Sequence, residues 1–409
     1  MKKTGRHTFV IDGNYFLFRT LYVIPHHTKN KEILGTDEEA ESFMKKLATD
    51  FAYQIRLFEG LIDKVVWTVD SRSWRKDFYP ESDYKGNRSA DTKINWDRFS
   101  KITEEFIQIL AKQGVIISKV PGAEGDDLMY AWNTESLANG KSVIMFTGDR
   151  DLVQLVNRDK NNGTHTILFS PAHKKLYTYQ GFTEWMESDE TEKPNESVDI
   201  FDMMKIQVSP EHQSKQLLKS LISKKKVATI EVDPEEFRFK KVLTGDSGDN
   251  VQPAYWYVSK NRKYGVSDKK ADLIVSEFKE KHGTLSHMYL YNEEYITDLA
   301  NILVKIMKPK HMSREQIITN LKSNVNLMVL AAESIPEGIL DDMFKLVEAN
   351  LNSTKLNLKP ISSMKSMLEG TSYNTDEGIQ VSSKIFKDSD NDGSDFSFIK
   401  DRKTTKKIF

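Results

Sequence analysis

Four short apolar runs punctuate the first third of the chain: "TFVID" (8–12), "KVVWTVD" (64–70), "GVIISKV" (114–120) and "SVIMFTGD" (142–149). Each is too short for a helix and rich in β-branched residues, which predicts buried strands. Between them the apolar positions recur with helical spacing, notably over 38–58, 96–114 and 124–140. Strands alternating with helices predict an α/β fold with a mainly parallel central sheet covered on both faces. "THTILFSPAHKKLYTY" (164–179) reads as a hairpin closing this unit.

From 181 to 235 the chain turns polar, with an acidic "ESDETEKPNE" followed by a basic "KSLISKKKV". Helical periodicity returns around "KKADLIVSEFKEKHG" and lasts to about 350, after which Ser, Thr, Asn and Asp accumulate and the pattern fades. The expected organisation is an α/β core over 1–180, a polar insertion or linker over 181–235, a helical domain over 236–351 and a flexible tail over 352–409.

Charge changes this picture little. Lys and Arg number 59 against 60 Asp and Glu, so nucleic-acid binding would depend on local segregation of charge. The chain has no cysteine, which excludes disulfides and thiolate metal sites and suits a reducing compartment. With no apolar signal core and no window of membrane-spanning length, the expectation is a cytoplasmic monomer without a membrane partner.

In parallel sheets functional residues gather at the carboxyl ends of the strands. Three of the four runs end in aspartate, at Asp12, Asp70 and Asp149, and the other leads into "PGAEGDD", with Glu124, Asp126 and Asp127; Asp151 follows closely. Taken singly, each acid could cap a helix. Together on one edge they would repel one another unless cations intervened. Oxygen-only ligation suits a hard ion, Mg²⁺ or Mn²⁺. Two such ions can hold the attacking water and the leaving oxygen of a phosphodiester in line. Asp246 and Asp249 in "LTGDSGDN" fit either this role or an ordinary polar turn.

"SRSWRKDFYPESDYKGNR" (71–88) sets Arg72, Arg75, Lys76, Lys85 and Arg88 among Trp74, Phe78, Tyr79 and Tyr84. That mixture suits a single-strand clamp, with a solvated loop as the alternative. "DSDNDGSDFSFI" (388–399) opens like a calcium loop but places Ile399 where a bidentate Glu is needed, so it reads as an acidic tail. The final "SDFSFIKDRKTTKKIF" suits either a solubilising tail or a segment folding onto a replication partner, a sliding clamp or single-strand-binding protein.

Six motifs, "VIDGNYFLFR", "VD" at 69–70, "YPESDYKGNR", "PGAEGDD", "FTGDRDLVQLV" and "LTGDSGDNV", resemble in order and spacing the structure-specific 5′ nuclease family. That family includes flap endonucleases, the 5′ nuclease domains of bacterial DNA polymerases and phage 5′-3′ exonucleases, and the likeness points toward the bacteriophage RNase H branch. The resemblance implies a PIN-like core and an arch over about 72–98. It also implies a helix-three-turn-helix-like element in the helical domain.

By the same resemblance the activity is metal-dependent 5′ nuclease cleavage. It would act on DNA with a 5′ flap or 5′ end, or on RNA:DNA hybrid, removing primers or flaps in replication, in the host cytoplasm if phage-encoded. Asp12, Asp70, Glu124, Asp126 and Asp149 would surround one metal, with Asp127 near it, and Asp151, Asp246 and Asp249 would serve a second. Asp149 and Asp151 count among the catalytic residues with Lys85 and Arg88, which would face the scissile phosphate. Arg19, Arg72, Arg75, Tyr84, Lys269 and Lys270 would join Lys85 and Arg88 on nucleic acid.

Ser267 departs from the pattern, standing where a second glycine is common, and "VQPAYWYVSKNRKY" intervenes before the following helix. A side chain there restricts the backbone's approach to phosphate, which counts against the K⁺ ion that the family often holds. Two other functions fit the same motifs: a PIN-type RNase acting on RNA alone, and a catalytically silent DNA-binding accessory protein. The intact acidic set and Lys85 argue against silence.

Overall fold

The computed structural model describes residues 7–24, 32–88, 93–159, 163–188, 210–353 and 356–373. The calcium-loop-like stretch, the proposed partner-binding terminus, and parts of the arch and of the 181–235 region lie outside these residues.

The first unit runs β1 (His7–Asp12), α1 (Gly13–Leu21), α2 (Asp37–Phe58), β2 (Ile62–Thr68), α3 (Trp74–Phe78), α4 (Trp96–Lys112), β3 (Ile116–Ser118), α5 (Gly125–Ala138) and β4 (Ser142–Phe146). It continues through β5 (Asn157–Arg158), β6 (His165–Ser170), β7 (Lys175–Tyr179), α6 (Phe182–Glu187), α7 (Pro210–Lys225) and β8 (Ala228–Val232). The sheet order is β3-β2-β1-β4-β6-β7-β8, with β5 paired to β6. The strands from β3 through β6 along this order are mutually parallel. β7 turns back antiparallel on β6, as the hairpin pattern predicted, and β8 lies parallel to β7.

The strand order reverses beside β1: β2 and β3 lie to one side, β4 and β6 to the other. A crevice therefore opens beyond the carboxyl ends of β1 and β4, the place where open α/β sheets bind ligands. All five residues of β4, and every residue of β1 except Asp12, are buried, as expected for strands covered on both faces.

Of the three expected strand-end acids, only Asp12 lies within its strand. β2 stops at Thr68 and β4 at Phe146, so Asp70 and Asp149 stand two and three residues past the last ladder position. There the backbone is free to turn the carboxylates toward the crevice.

The stretch expected to be insertion or linker contributes β8 to the sheet, and Leu218, Leu221 and Val227 pack into the main core. α8 (Pro234–Thr244), α9 (Asp268–His282), α10 (Glu293–Met307) and α11 (Arg314–Met328) build a second core around Phe239, Ile274, Phe278, Leu299 and Leu321. α12 (Glu337–Leu351) and α13 (Met364–Leu368) return to the first core through Met343, Val347, Leu351, Met367 and Leu368. α8 and α9 are joined not by a tight turn alone but by an antiparallel hairpin, β9 (Trp256–Ser259) and β10 (Arg262–Gly265).

The two cores are tied where α11 ends. Gln154 Nε2 donates to Met328 O at 3.1 Å while its Oε1 accepts from Leu330 N at 2.8 Å. The Arg238 guanidinium donates to Gln154 O at 2.5 Å.

Candidate active site

The acids do double duty as caps. Asp12 Oδ1 accepts from Tyr15 N at 2.9 Å at the start of α1, and its Oδ2 accepts from Thr147 Oγ1 at 2.7 Å. Asp149 Oδ1 accepts from Asp151 N at 2.9 Å. Glu124 and Asp127 form a reciprocal capping box at the start of α5. The capping alternative is thus true of several acids and does not compete with a functional role, because the caps hold the carboxylates rigidly around the crevice.

Two glycines make room for this packing. A Cβ on Gly125 would stand 2.7 Å from Asp70 Oδ1, which accepts from Gly125 N at 2.5 Å. A Cβ on Gly148 would stand 2.1 Å from the Tyr15 ring.

Electrostatics link acids from distant parts of the chain. Burial, together with the charges of Asp70 and Asp149, pushes Asp12 up to about 7. Asp126 is driven well above the usual carboxylate range by burial and by facing Asp149 and Asp12. Burial, Asp149 and Asp246 push Asp151 up to about 7. The Asp70 residue is exposed, yet the cleft walls remove enough water to raise its carboxyl, with Glu124 adding to the effect. Mutual repulsion of this kind requires the carboxylates to be close.

Basic side chains occupy part of the same crevice. Lys85 Nζ pairs with Glu124 Oε1, and Arg88 pairs with Asp249 Oδ1. Burial would raise Glu124, but Lys85 and Arg75 overcome it and hold the carboxyl down to about 2. The segment carrying Lys85 is stitched to the loop carrying Asp249. Lys85 N donates to Asp249 O at 2.8 Å, Asn87 Nδ2 to Ser247 O at 2.9 Å, and Asn250 Nδ2 to Asp83 O at 3.0 Å. Lys85 itself sits at φ 55°, a left-handed conformation costly for a residue with a Cβ.

Several expected residues stand elsewhere. Arg75 is a correction: only 2% exposed, it spends its donors inside the protein, on Leu327 O at 2.9 Å, Glu124 at 3.0 Å and Asp127 at 2.9 and 3.1 Å. It is not placed to touch nucleic acid. Asp127, fully buried, receives that guanidinium and the Trp74 indole N–H at 3.1 Å, so it braces the site rather than facing it.

Tyr84 is likewise buried, its hydroxyl donating to Glu124 Oε2 at 3.1 Å and Asp249 Oδ2 at 3.2 Å, which leaves no free ring face for a base. Arg19 lies in the last turn of α1, roughly 10 Å along the helix from Asp12 at 1.5 Å per residue, with NH1 3.9 Å from Asp50. Arg72 is exposed and pairs with Asp77. Lys269 and Lys270 stand in the first turn of α9, outside the acidic cluster.

Sequence reasoning missed Lys241. It reaches from the last turn of α8 to Asp151 Oδ1 at 2.6 Å and Asp246 Oδ2 at 2.5 Å, bridging acids from both cores. Those two acids raise its pKa against the effect of burial. Asn14 and Thr147, which donate to Asp70 and Asp12, were missed too. All three lie next to the motif acids in sequence, but nothing in their spacing says which way they point.

Among the described residues, no group of three or more His, Asp or Glu side chains is gathered closely enough to hold a metal ion. The donor set nonetheless suits a hard divalent cation: carboxylate oxygens from several chain segments, repelling one another and lacking thiolate or imidazole competitors.

Comparison with known proteins finds relatives for the first part of the chain. Residues 7–187 match the family described as 5′-3′ exonuclease, N-terminal resolvase-like domain. DNA polymerase I of Mycobacterium tuberculosis (strain ATCC 25618 / H37Rv) is 29% identical over 160 residues, 37% of this chain and 16% of that protein. The 5′-3′ exonuclease of Bacillus subtilis (strain 168) is 28% identical over 178 residues, 43% of this chain and 55% of that one. This chain thus spans about a sixth of the polymerase and about half of the exonuclease.

Among solved structures, zinc-bound T5 5′-exonuclease aligns with a TM-score of 0.48 and 17% identity, covering 84% of this chain and 99% of that one. Residues 7–187 are thus similar to the N-terminal resolvase-like domain of 5′-3′ exonucleases.

Among the described residues no helix is long and apolar enough to cross a membrane.

Proposed function

We propose that the protein is a metal-dependent 5′ nuclease that hydrolyses phosphodiesters near the 5′ end of flap DNA or RNA:DNA hybrids during replication. One observation carries this reading. Asp12, Asp126 and Asp149 repel one another at the sheet's reversal point and Asp149 also repels Asp151, while the cationic side chains of Lys85 and Arg88 pair with Glu124 and Asp249. The family match of residues 7–187 supports it.

Asp12, Asp70, Glu124, Asp126 and Asp149 would hold one divalent ion, Mg²⁺ in the first instance and Mn²⁺ as a substitute. Asp151, Asp246 and Asp249 would hold a second. When bound, such ions lower the pKa of water and neutralise charge on the phosphate. The chain's own part is positional. Thr147, Tyr15 N and Gly125 N orient Asp12 and Asp70 by hydrogen bonds. Arg75 braces Glu124 and Asp127 at the start of α5, and Asp249, Ser247 and Asn250 hold the segment from which Lys85 projects.

Lys85 and Arg88 leave Glu124 and Asp249 to meet the scissile phosphate, where fixed positive charge counts most as negative charge builds. Lys269 and Lys270 bind duplex phosphate at the start of α9. The nuclease core expected over 1–180 also takes in β8, α12 and α13, and the nucleic-acid-binding role proposed for 236–351 falls on the helical core built by α8 to α11.

The test is a 5′-labelled flap DNA, an RNA:DNA hybrid and a single-stranded RNA, each with Mg²⁺ and with chelator. Cleavage of the first two only, abolished by chelator and by Asp149→Asn or Asp151→Asn while flap binding persists, is the expected result. Cleavage of single-stranded RNA alone would favour the RNase reading, and binding without cleavage the silent accessory protein.

A further inference from the structure

The composition of the hairpin β9–β10 sets it apart from the rest of a nearly neutral chain. Between Asn250 and Asp268 there is no acidic residue, while Lys260, Arg262 and Lys263 crowd the tip. Its base is anchored. Ala254, Tyr255 and Val266 are buried in the second core, and Ala254 O accepts from Asn320 Nδ2 at 3.1 Å. Beyond that base, every residue from Val258 to Tyr264 is exposed, including Val258 at 62% and Tyr264 at 43%.

Three features show a tip held in place rather than a loose loop. The ladder pairs Ser259 with Arg262 and Trp256 with Gly265, so the turn consists of only two residues, Lys260 and Asn261. Both have positive φ, 48° and 61°, the conformation of a tight type I′ turn. Asn tolerates it, whereas a Lys there carries a strain of roughly 1 kcal/mol. The ring of Tyr257 stacks on Tyr264 with centroids 5.2 Å apart, and on His311 at 4.7 Å. His311 belongs to the connection between α10 and α11, so this stacking ties the hairpin to a second basic segment with exposed Lys308 and Lys310. Among the described residues none of Lys260, Arg262, Lys308 and Lys310 forms an ion pair.

A rigid ribbon with cations and no carboxylates, standing in the α8–α9 connection that begins with Asp246 and Asp249, is complementary to a polyanion of fixed spacing. We propose that this hairpin, together with the 308–311 segment, is a second phosphate-binding surface that grips the backbone of the duplex part of the substrate. It is separate from Lys269 and Lys270 and extends the footprint away from the cut. The inference rests on the nuclease reading for the identity of the ligand, though not for the contact itself.

The triple variant Lys260→Ala/Arg262→Ala/Lys310→Ala tests it, since all three side chains are exposed and the fold does not depend on them. Binding is measured by fluorescence anisotropy across a salt series, on blunt duplex DNA, 5′-flap DNA and a single-stranded oligonucleotide. Each phosphate contact contributes about 0.9 to the slope of log K against log salt on duplex DNA, so three lost contacts should lower it by roughly 2.7.

The expected result is that reduced slope, with duplex and flap affinity falling at least about tenfold near 0.1 M salt, while single-strand affinity and cleavage at saturating flap stay as in the parent. Unchanged duplex affinity and slope would overturn the proposal. So would an equal loss on the single strand, which would make the surface a single-strand contact. A parent protein that binds duplex through this surface but cleaves nothing would remove the nuclease reading and leave this inference standing. Cleavage by the parent with an unaffected triple variant would do the reverse.

Discussion

Arg75→Ala separates two roles that composition alone could not distinguish. In the folded protein the guanidinium is surrounded by Asp127, Glu124, Leu327 O and the Trp74 ring, whose centroid lies 4.5 Å from it. Truncation leaves Asp127, itself fully buried, with only the Trp74 indole and the Glu124 backbone N–H as partners. Removing one member of a buried pair costs about 3–5 kcal/mol, because the remaining charge stays desolvated.

Urea unfolding followed by tryptophan fluorescence reads the loss directly, with Trp74 as a local reporter. The compensated variant Arg75→Met/Asp127→Leu should recover most of it, since apolar replacement of both partners removes the stranded charge. A loss below about 1 kcal/mol for Arg75→Ala, the size expected of an exposed pair, would refute the bracing role. If it came with a shallower salt dependence of DNA binding, it would return Arg75 to the nucleic-acid surface.

Lys85→Gly should cost less stability than Lys85→Ala, because glycine adopts φ 55° freely; both should slow flap cleavage far more than they weaken binding, and a defect confined to binding would move Lys85 out of the active site. The buried pair His7–His165 should make stability fall in acid. His7 Nδ1 donates to Leu61 O at 3.1 Å, and its Nε2 lies 3.1 Å from His165 Nε2. Burial, His7 and Arg158 hold the His165 pKa well below 6.5. As pH falls below that value the unfolded chain takes up a proton that the folded one refuses, so stability drops there and is unaffected above it. His165→Gln should flatten urea midpoints measured between pH 7 and 5, and an unchanged slope would argue against a neutral His165.

The parallel sheet and its acidic edge were legible because they rest on local patterns. Continuous apolar runs marked β1, β2 and β4, and the acids stood at fixed offsets from them. Roles that depend on side-chain direction were not legible. Arg75 and Arg72 occupy the same basic-aromatic segment, yet α3 turns the first inward and leaves the second in solvent. Lys241 reads as an ordinary charge in the last turn of a helix, and only the docking of α8 against the 3₁₀ turn Arg150–Leu155 brings it to Asp151. β8 escaped notice because Ala228, Thr229 and Glu231 are exposed, which deprives an edge strand of the apolar signal that reveals a central one.

In the proposed site, carboxylates from β1, the start of α5 and the turn after β4 jointly bind divalent cations. A crystal soaked in Mn²⁺ and measured at the manganese absorption edge tests it most directly. Anomalous density is expected among Asp12, Asp126 and Asp149, lost in Asp149→Asn. Full occupancy of Mn²⁺ elsewhere, with these carboxylates bare, would contradict it.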